Sequence, residues 1–299
     1  MISRRSIRTK SFQVIYSQQF EDTGKNGQEA LDFFAKGIEK VYFTYFFNVA
    51  LVIKGLSKLQ EKGKLPAEVE LPKLADFKAL LSKHAPLPNT NGIISETLKD
   101  YSAKFVEQEK VMEDFYEAMH TRLNEQQFDT PAAFYKWLQA DADYNELFAE
   151  QMINGAGSDD YSIITGTMRK TVKAFPAFTE VENVINSDDD TTIQFGDVLI
   201  KNFFDEDNYY SGLLESHSRN WEIDRVAMID KILIKMAIAE MVSFPSIPVN
   251  VSINEYIEIS KAFSQDKSKE FINGILDKIA KKLLSEGRIV KEGEPEKPA

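Results

Sequence analysis

Apolar residues recur at intervals of three and four along almost the whole chain, and runs that alternate apolar with polar residues are scarce. The first spacing places apolar side chains on one face of an α-helix, whereas alternation is typical of a half-buried strand. The sequence therefore predicts an all-α fold.

The first predicted helix starts near Ser3, whose short polar side chain suits the N-cap position. A second helix is predicted over residues 28–61. Its most apolar part, residues 41–53, is too short to cross a bilayer, which needs roughly 20 apolar residues, so we expect it to be buried in the protein. Residues 62–92 contain four prolines around a short helical stretch near residues 74–81, and they predict a connector between helices. The pair at 130–131, threonine then proline, predicts another helix start.

Three features mark the last third of the chain. A single helix is predicted over about residues 192–216. Ser252 and Glu255 match a capping box, in which both side chains bond to backbone amides at the beginning of a helix. A final helix, predicted over about residues 267–285, contains Gly274, which we interpret as a point of close packing.

Charge is distributed unevenly over the 299 residues, whose net charge is −11. An acidic surface repels phosphate and argues against indiscriminate binding of nucleic acids. The first 20 residues, however, contain four basic residues and no acidic one. The sequence therefore predicts one local cationic region on an otherwise acidic protein.

Composition excludes several kinds of chemistry. The chain has no cysteine, which rules out disulfides, thiolate-bound zinc and cysteine nucleophiles. Its three histidines are scattered, and it lacks a P-loop and a GxGxxG motif, so we expect no metal and no cofactor. Met1 is not followed by the apolar core of a secretory signal, so we expect a cytoplasmic protein.

Motifs at both ends of the chain are distinctive. The amino-terminal ones are RRSIR at residues 4–8 and QVIY at 13–16, and the carboxy-terminal ones are VNVSINE at 249–255 and FINGILDK at 271–278. They resemble the arginine-rich opening helix and the carboxy-terminal signature of the NusB family of transcription antitermination factors. Residues 229–240 also match the helix that precedes this signature.

The resemblance implies a non-enzymatic, all-helical bundle of two subdomains. We assign residues 1–22 to its arginine-rich first helix, 23–190 to a helical insertion, 191–285 to its carboxy-terminal part and 286–299 to a disordered tail. The long middle segment is similar to that of enlarged members from the Bacteroidetes lineage.

The family's members bind the boxA segment of ribosomal RNA transcripts together with the ribosomal protein NusE, and so help RNA polymerase to resist termination. The resemblance implies the same RNA and partners here. It places the RNA-binding positions at Arg4, Arg5, Arg8, Lys10, Tyr16, Lys267 and Phe271. It places the positions that meet the ribosomal partner at Tyr209, Tyr210, Glu215, Trp221 and Glu222.

Each of these assignments has a structural alternative. Arginines can hold phosphates and aromatic rings can stack on unpaired bases. Alternatively, Phe12 and Tyr16 belong to the core, the arginines are merely a solvated terminus, and the partner aromatics, Trp221 above all, are buried.

Two other functions are also open. The chain could be a helical interaction scaffold with vestigial RNA binding. A relationship to the NusB-like domains of ribosomal RNA cytosine methyltransferases is less favoured, because those enzymes need a cysteine nucleophile and a glycine-rich cofactor loop.

Overall fold

The computed structural model describes residues 1–20, 27–84, 93–152, 158–187, 189–218, 226–265 and 268–292. These ranges contain helices and no strand, which confirms the all-α prediction. No helix among them is both long and apolar enough to span a membrane. The chain divides into two compact units. The central unit comprises Met1–Ile2 and Ala35–Asp190, and the terminal unit comprises Ser3–Phe34 and Thr191–Ala299.

The helices follow one another along the chain. Their bounds are α1 Arg4–Ser17, α2 Gly27–Glu61, α3 Leu74–His84, α4 Ile93–Ala103, α5 Phe105–Ala118, α6 His120–Asn124, α7 Pro131–Leu138, α8 Ala142–Met152, α9 Ser158–Ala174, α10 Thr179–Ile185, α11 Asp189–Asp205, α12 Asp207–His217, α13 Met228–Ser243, α14 Val249–Phe263 and α15 Ser268–Ser285.

Helix α2 forms the core of the central unit. As predicted, its apolar part is buried: all of residues 44–56 are inaccessible to solvent or nearly so. Its neighbours bond to it through buried hydroxyl groups, Tyr101 to the Phe46 carbonyl, Tyr116 to the Leu51 carbonyl and Tyr144 to the Asn48 side chain. These bonds satisfy polar groups that would otherwise be costly to bury.

Helix α13 has the same role in the terminal unit. It packs against α1, α12, α14 and α15, and every residue from 232 to 241 is buried. Helix α1 begins where the sequence predicts, because the Ser3 Oγ accepts a hydrogen bond from the Ser6 backbone amide. Thr130 caps α7 in the same way, through the Ala133 amide.

Two predictions for the last third are wrong. The helix expected over residues 192–216 is divided at Glu206 into α11 and α12. The capping box does not form, because α14 already begins at Val249, directly after Pro248 at its N-cap. Ser252 and Glu255 therefore lie inside the helix, and their side chains bond to other helices instead.

The predicted disordered tail also needs correction over its first part. Residues 287–292 pack against the terminal unit: Ile289 is only 3% exposed, and the Lys291 Nζ donates hydrogen bonds to the carbonyls of Met241 (2.8 Å) and Phe244 (2.9 Å). A lysine in this position satisfies carbonyls at the end of α13. Residues 293–299 lie outside the described residues.

Close packing occurs at a different glycine from the one predicted. Gly274 is exposed, and a Cβ added there would meet nothing within 4 Å. A Cβ on Gly196 of α11 would instead lie 2.3 Å from the Phe34 ring and 2.8 Å from Ile7. Both neighbours are fully buried, so neither has room to move.

The two glycines should respond oppositely to alanine. Gly196→Ala should lower the free energy of unfolding by about 1–2 kcal/mol, because overpacking outweighs the gain in helix propensity. Gly274→Ala should raise it by about 0.5–1 kcal/mol, because alanine restricts the unfolded chain and nothing obstructs it. Urea denaturation of both variants measures the difference. A stabilised Gly196→Ala protein would contradict the packing at this position.

Candidate nucleic-acid interface

Helices α1 and α14 lie side by side in the terminal unit. Near the start of α1, the Arg5 guanidinium donates two hydrogen bonds to the Glu255 carboxylate, at 2.9 and 2.6 Å. Two turns further, the rings of Phe12 and Phe263 are 5.1 Å apart. These contacts bring the arginine-rich helix onto the carboxy-terminal motif, and we call the surface they form the α1–α14 face.

Arg8 is held beneath this face by a buried ion pair. Its guanidinium donates two hydrogen bonds to Glu240 of α13, at 2.7 and 2.8 Å. The Glu240 carboxylate is fully buried and also accepts hydrogen bonds from the hydroxyls of Ser252 (2.7 Å) and Tyr256 (3.1 Å). The network therefore joins α1, α13 and α14.

The charge of Arg8 is satisfied inside the protein. Burial is the largest single effect and works to lower the pKa of Arg8, but the hydrogen bonds and charge of Glu240, together with the nearby Tyr256 and Glu255, hold the pKa above its ordinary value. The guanidinium also lies over the Phe195 ring, 5.1 Å from its centroid. RNA would have to break the pair with Glu240 to reach Arg8, so the geometry gives this arginine a positioning role.

Arg4 and Arg5 differ from Arg8 in being exposed. The Arg5 side chain is 60% exposed, and its hydrogen bonds lower the pKa of Glu255. Arg4 lies 5.8 Å from the centroid of the Phe195 ring, and no carboxylate of the described residues pairs with it. Of the three arginines, Arg4 is therefore the one most open to a phosphate.

Aromatic side chains continue this surface along α1 and just beyond its end. Phe12 is buried at 2% exposure, Tyr16 is half-buried, and Phe20 is 64% exposed. The ring centroids are separated by 5.9 Å from Phe12 to Tyr16 and by 5.0 Å from Tyr16 to Phe20. The core alternative thus applies to Phe12. The sequence analysis missed Phe20, although its four-residue spacing from Tyr16 could have identified it.

The other predicted RNA-binding residues are less accessible or lie outside the described residues. Lys10 is 4% exposed and Phe271 is 8% exposed, which leaves little of either for a ligand to reach. Lys267 is not among the described residues. The assignment of these residues to an RNA site stays a prediction.

A polar cleft lies where α14 leads into α15. It has a volume of about 480 Å³ and is lined by Ser260, Lys261, Ser264, Gln265 and Lys269. Beneath it, the buried Asp230 carboxylate accepts hydrogen bonds from Ser264 (2.5 Å) and Ser268 (2.7 Å), which fixes the end of α14 against the beginning of α15. The cleft adds two lysines to the terminal unit's exposed cations.

The predicted partner-binding residues have different surroundings. Tyr210 is fully buried and its hydroxyl donates to Asn202, which fits the core alternative. Tyr209 is half-buried, with the Arg288 guanidinium 4.6 Å from its ring centroid. Glu215 is exposed. Trp221 and Glu222 lie outside the described residues.

Comparison with known proteins identifies the carboxy-terminal region. Residues 164–281 match the model of the NusB family. The chain therefore contains a NusB-family domain over these residues. The match begins within α9, inside the segment that we predict to be an insertion, so the domain boundary at 190 stays a prediction. No solved structure matches the chain significantly.

Similarity to curated relatives agrees with this match. The chain is similar to the transcription antitermination protein NusB of Chloroherpeton thalassium, at 45% identity over 32% of this chain and 43% of the relative. It is 37% identical to NusB of Salinibacter ruber, over 36% of this chain and 66% of the relative. It is 47% identical to NusB of Natranaerobius thermophilus, over 23% of this chain and 50% of the relative. The chain thus spans about half the length of these relatives.

The buried arginine and an exposed one should differ in their effect on stability. Arg8→Ala leaves Glu240 buried without its cation, so the free energy of unfolding should fall by about 3–5 kcal/mol. Arg5→Ala removes a solvent-exposed pair and should lower it by less than about 1 kcal/mol. Urea denaturation at low and high salt provides the comparison. Equal losses of unfolding free energy in both variants would show that the pair of Arg8 with Glu240 stabilises the fold no more than the pair of Arg5 with Glu255.

Proposed function

We propose that this NusB-family protein is an RNA-binding antitermination factor that acts without catalysis in the cytoplasm. It binds a boxA-like single strand of ribosomal RNA transcripts together with NusE, as part of the RNA polymerase antitermination complex. The observation that carries the proposal is the α1–α14 face, where exposed Arg4 and Arg5 lie on the same helix as Tyr16, whose ring contacts that of Phe20 just beyond the end of the helix.

Single-stranded RNA needs both kinds of side chain. Guanidinium groups hold phosphates through charge-assisted hydrogen bonds, and exposed rings stack on unpaired bases. Arg4 and Tyr16 are separated by about 18 Å along the helix axis, at a rise of about 1.5 Å per residue. A strand lying along α1 could therefore place phosphates at one end and bases at the other.

Electrostatics should confine RNA to this surface. The net charge of −11 repels phosphate from most of the protein, whereas the beginning of α1 carries no acidic residue. Glu255 partly neutralises Arg5, so RNA must compete with this carboxylate there. We therefore expect Arg4 to contribute more to RNA affinity than Arg5, and Arg8 to contribute by positioning α1.

The ribosomal partner is proposed to bind α12 and the residues that follow it. Glu215 is exposed on α12, and Tyr209 offers part of its ring beside the Arg288 guanidinium. Partly exposed aromatic residues are common anchors at interfaces, and acidic groups complement a basic ribosomal protein. Trp221 and Glu222 remain candidates for the same surface.

Substitutions on α1 and just beyond it test the RNA interface. Arg4→Gln should weaken binding of a boxA-like RNA and reduce the slope of log K against log salt by about 0.7, the value of one phosphate contact on a single strand. Phe20→Ala should weaken binding about tenfold or more without changing the slope, because a stacked base contributes about 1–3 kcal/mol. Fluorescence anisotropy at several salt concentrations measures both effects.

Lys110→Gln is the matched control for charge, because Lys110 is an exposed lysine of the central unit, outside the proposed interface. It should leave both affinity and slope nearly unchanged. Unaltered binding by an Arg4→Gln, Arg5→Gln and Phe20→Ala triple variant would overturn the proposed RNA interface.

The ternary complex makes a separate prediction. NusE should increase the affinity of the protein for boxA RNA, and RNA should increase its affinity for NusE by the same factor. Glu215→Lys should weaken NusE binding while the protein alone keeps its RNA affinity. Calorimetric titrations in both orders measure the coupling. Independent binding of the two ligands would refute cooperative assembly.

A further inference from the structure

A second cationic site lies in the central unit, between α7 and α9. It is a cavity of about 300 Å³, at the lower end of the range of about 300–1,000 Å³ that is common for small-ligand sites. Its floor is apolar: Tyr135 and Val172 are each only 2% exposed, and Ala132 is half-buried beside them. A flat apolar group of modest size therefore fits against this floor.

Three cations surround the cavity. Lys136 of α7 and Arg169 and Lys173 of α9 line it, and all three are exposed. Arg169 and Lys173 are one helical turn apart, so both reach the same side of α9. The positive charges therefore converge at the rim, while the floor stays apolar.

Hydrogen bonding orients the arginine without neutralising it. The Arg169 Nε donates to the Gln139 Oε1 at 3.3 Å, and its terminal nitrogens make no hydrogen bond to any described residue. Nor does any carboxylate of the described residues pair with Lys136, Arg169 or Lys173. By contrast, Arg122 of the same unit is paired with Asp141 at 3.3 Å. Three unpaired cations around one cavity are notable in a chain whose net charge is −11.

We propose that this cavity binds a nucleotide unit, with the base against the apolar floor and the phosphate at the cationic rim. A phosphate monoester carries close to two negative charges and several acceptor oxygens, which suit a guanidinium flanked by two ammonium groups. The occupant is either a free nucleotide or an unpaired nucleotide of a bound RNA. The free-nucleotide case is independent of the function proposed above, and the RNA case extends it to a second contact.

Titration of the full chain with a small set of probes tests the site. The probes are adenosine monophosphate, adenosine, inorganic phosphate, a short unstructured oligoribonucleotide and a glutamate-rich peptide. The proposal expects the monophosphate or the oligonucleotide to bind at least about tenfold more tightly than adenosine, phosphate or the peptide, since base and charge contacts combine. Binding of the monophosphate identifies a free nucleotide, and binding of the oligonucleotide alone identifies RNA.

Variants locate the binding in the cavity. Arg169→Gln should weaken it about tenfold. Ala132→Leu should weaken binding of the nucleotide by filling the floor, with all cations retained. Lys170→Gln is the matched control: it removes one exposed lysine next to Arg169 that does not line the cavity, and it should change affinity less than about twofold. Circular dichroism melting verifies that each variant is folded.

Three results would overturn the proposed nucleotide site. The proposal fails if the nucleotide probes bind no more tightly than adenosine or phosphate, if the acidic peptide binds best, or if Lys170→Gln weakens binding as much as Arg169→Gln. Binding of adenosine monophosphate without any affinity for boxA RNA would support this site and refute the proposed function. Binding of boxA RNA that is unaffected by Arg169→Gln, with no binding of free nucleotide, would refute this site and support the proposed function.

Discussion

The buried pair between Arg8 and Glu240 is the interaction on which the terminal unit depends. Placing two charges where solvent cannot reach them is unfavourable unless their hydrogen bonds are complete. Here the Glu240 carboxylate accepts from Arg8, Ser252 and Tyr256, so one side chain of α13 fixes the positions of both α1 and α14. Any other placement of α1 would leave Glu240 without its cation.

This constraint divides the arginine-rich run into two roles. Arg8 points inward and sets the rotation of α1 about its axis. Because successive residues on a helix are about 100° apart, that rotation also determines which side chains face outward. Arg4 and Arg5 lie one turn before Arg8 on the same side of α1, but they are exposed in its first turn, and the aromatic row ends at the surface with Phe20. A cluster of arginines in sequence is thus a mixture of structural and solvent-facing groups in the fold.

The sequence predicted elements that depend on local chemistry better than features that depend on distant partners. Helix periodicity and the caps at Ser3 and Thr130 were sufficient to predict the starts of α1 and α7. The Ser252 to Glu255 spacing was misleading, because its side chains serve contacts between helices rather than a helix end. Gly274 was misread because only neighbouring helices can reveal whether a glycine is crowded.

The candidate site shows the same limit. Family motifs indicated the arginine-rich helix, but no local pattern shows that Arg8 meets a carboxylate and Arg4 does not. The cavity between α7 and α9 was missed altogether, because Lys136 and Arg169 come together only when the two helices pack. Residue type therefore suggested the kind of chemistry, and packing determined which residues can perform it.

The separation of 232 residues between Arg8 and Glu240 has a consequence during translation. At about 5–20 residues per second, a ribosome needs roughly 10–50 s to synthesise α13 after α1 has emerged. During that interval the apolar side chains of Ile7, Phe12 and Ile15, all buried in the finished fold, have no α13 to cover them. The central unit, which is almost one continuous segment, can meanwhile become compact. Nascent chains stalled before residue 240 would accordingly be substrates for chaperones that recognise exposed apolar helices.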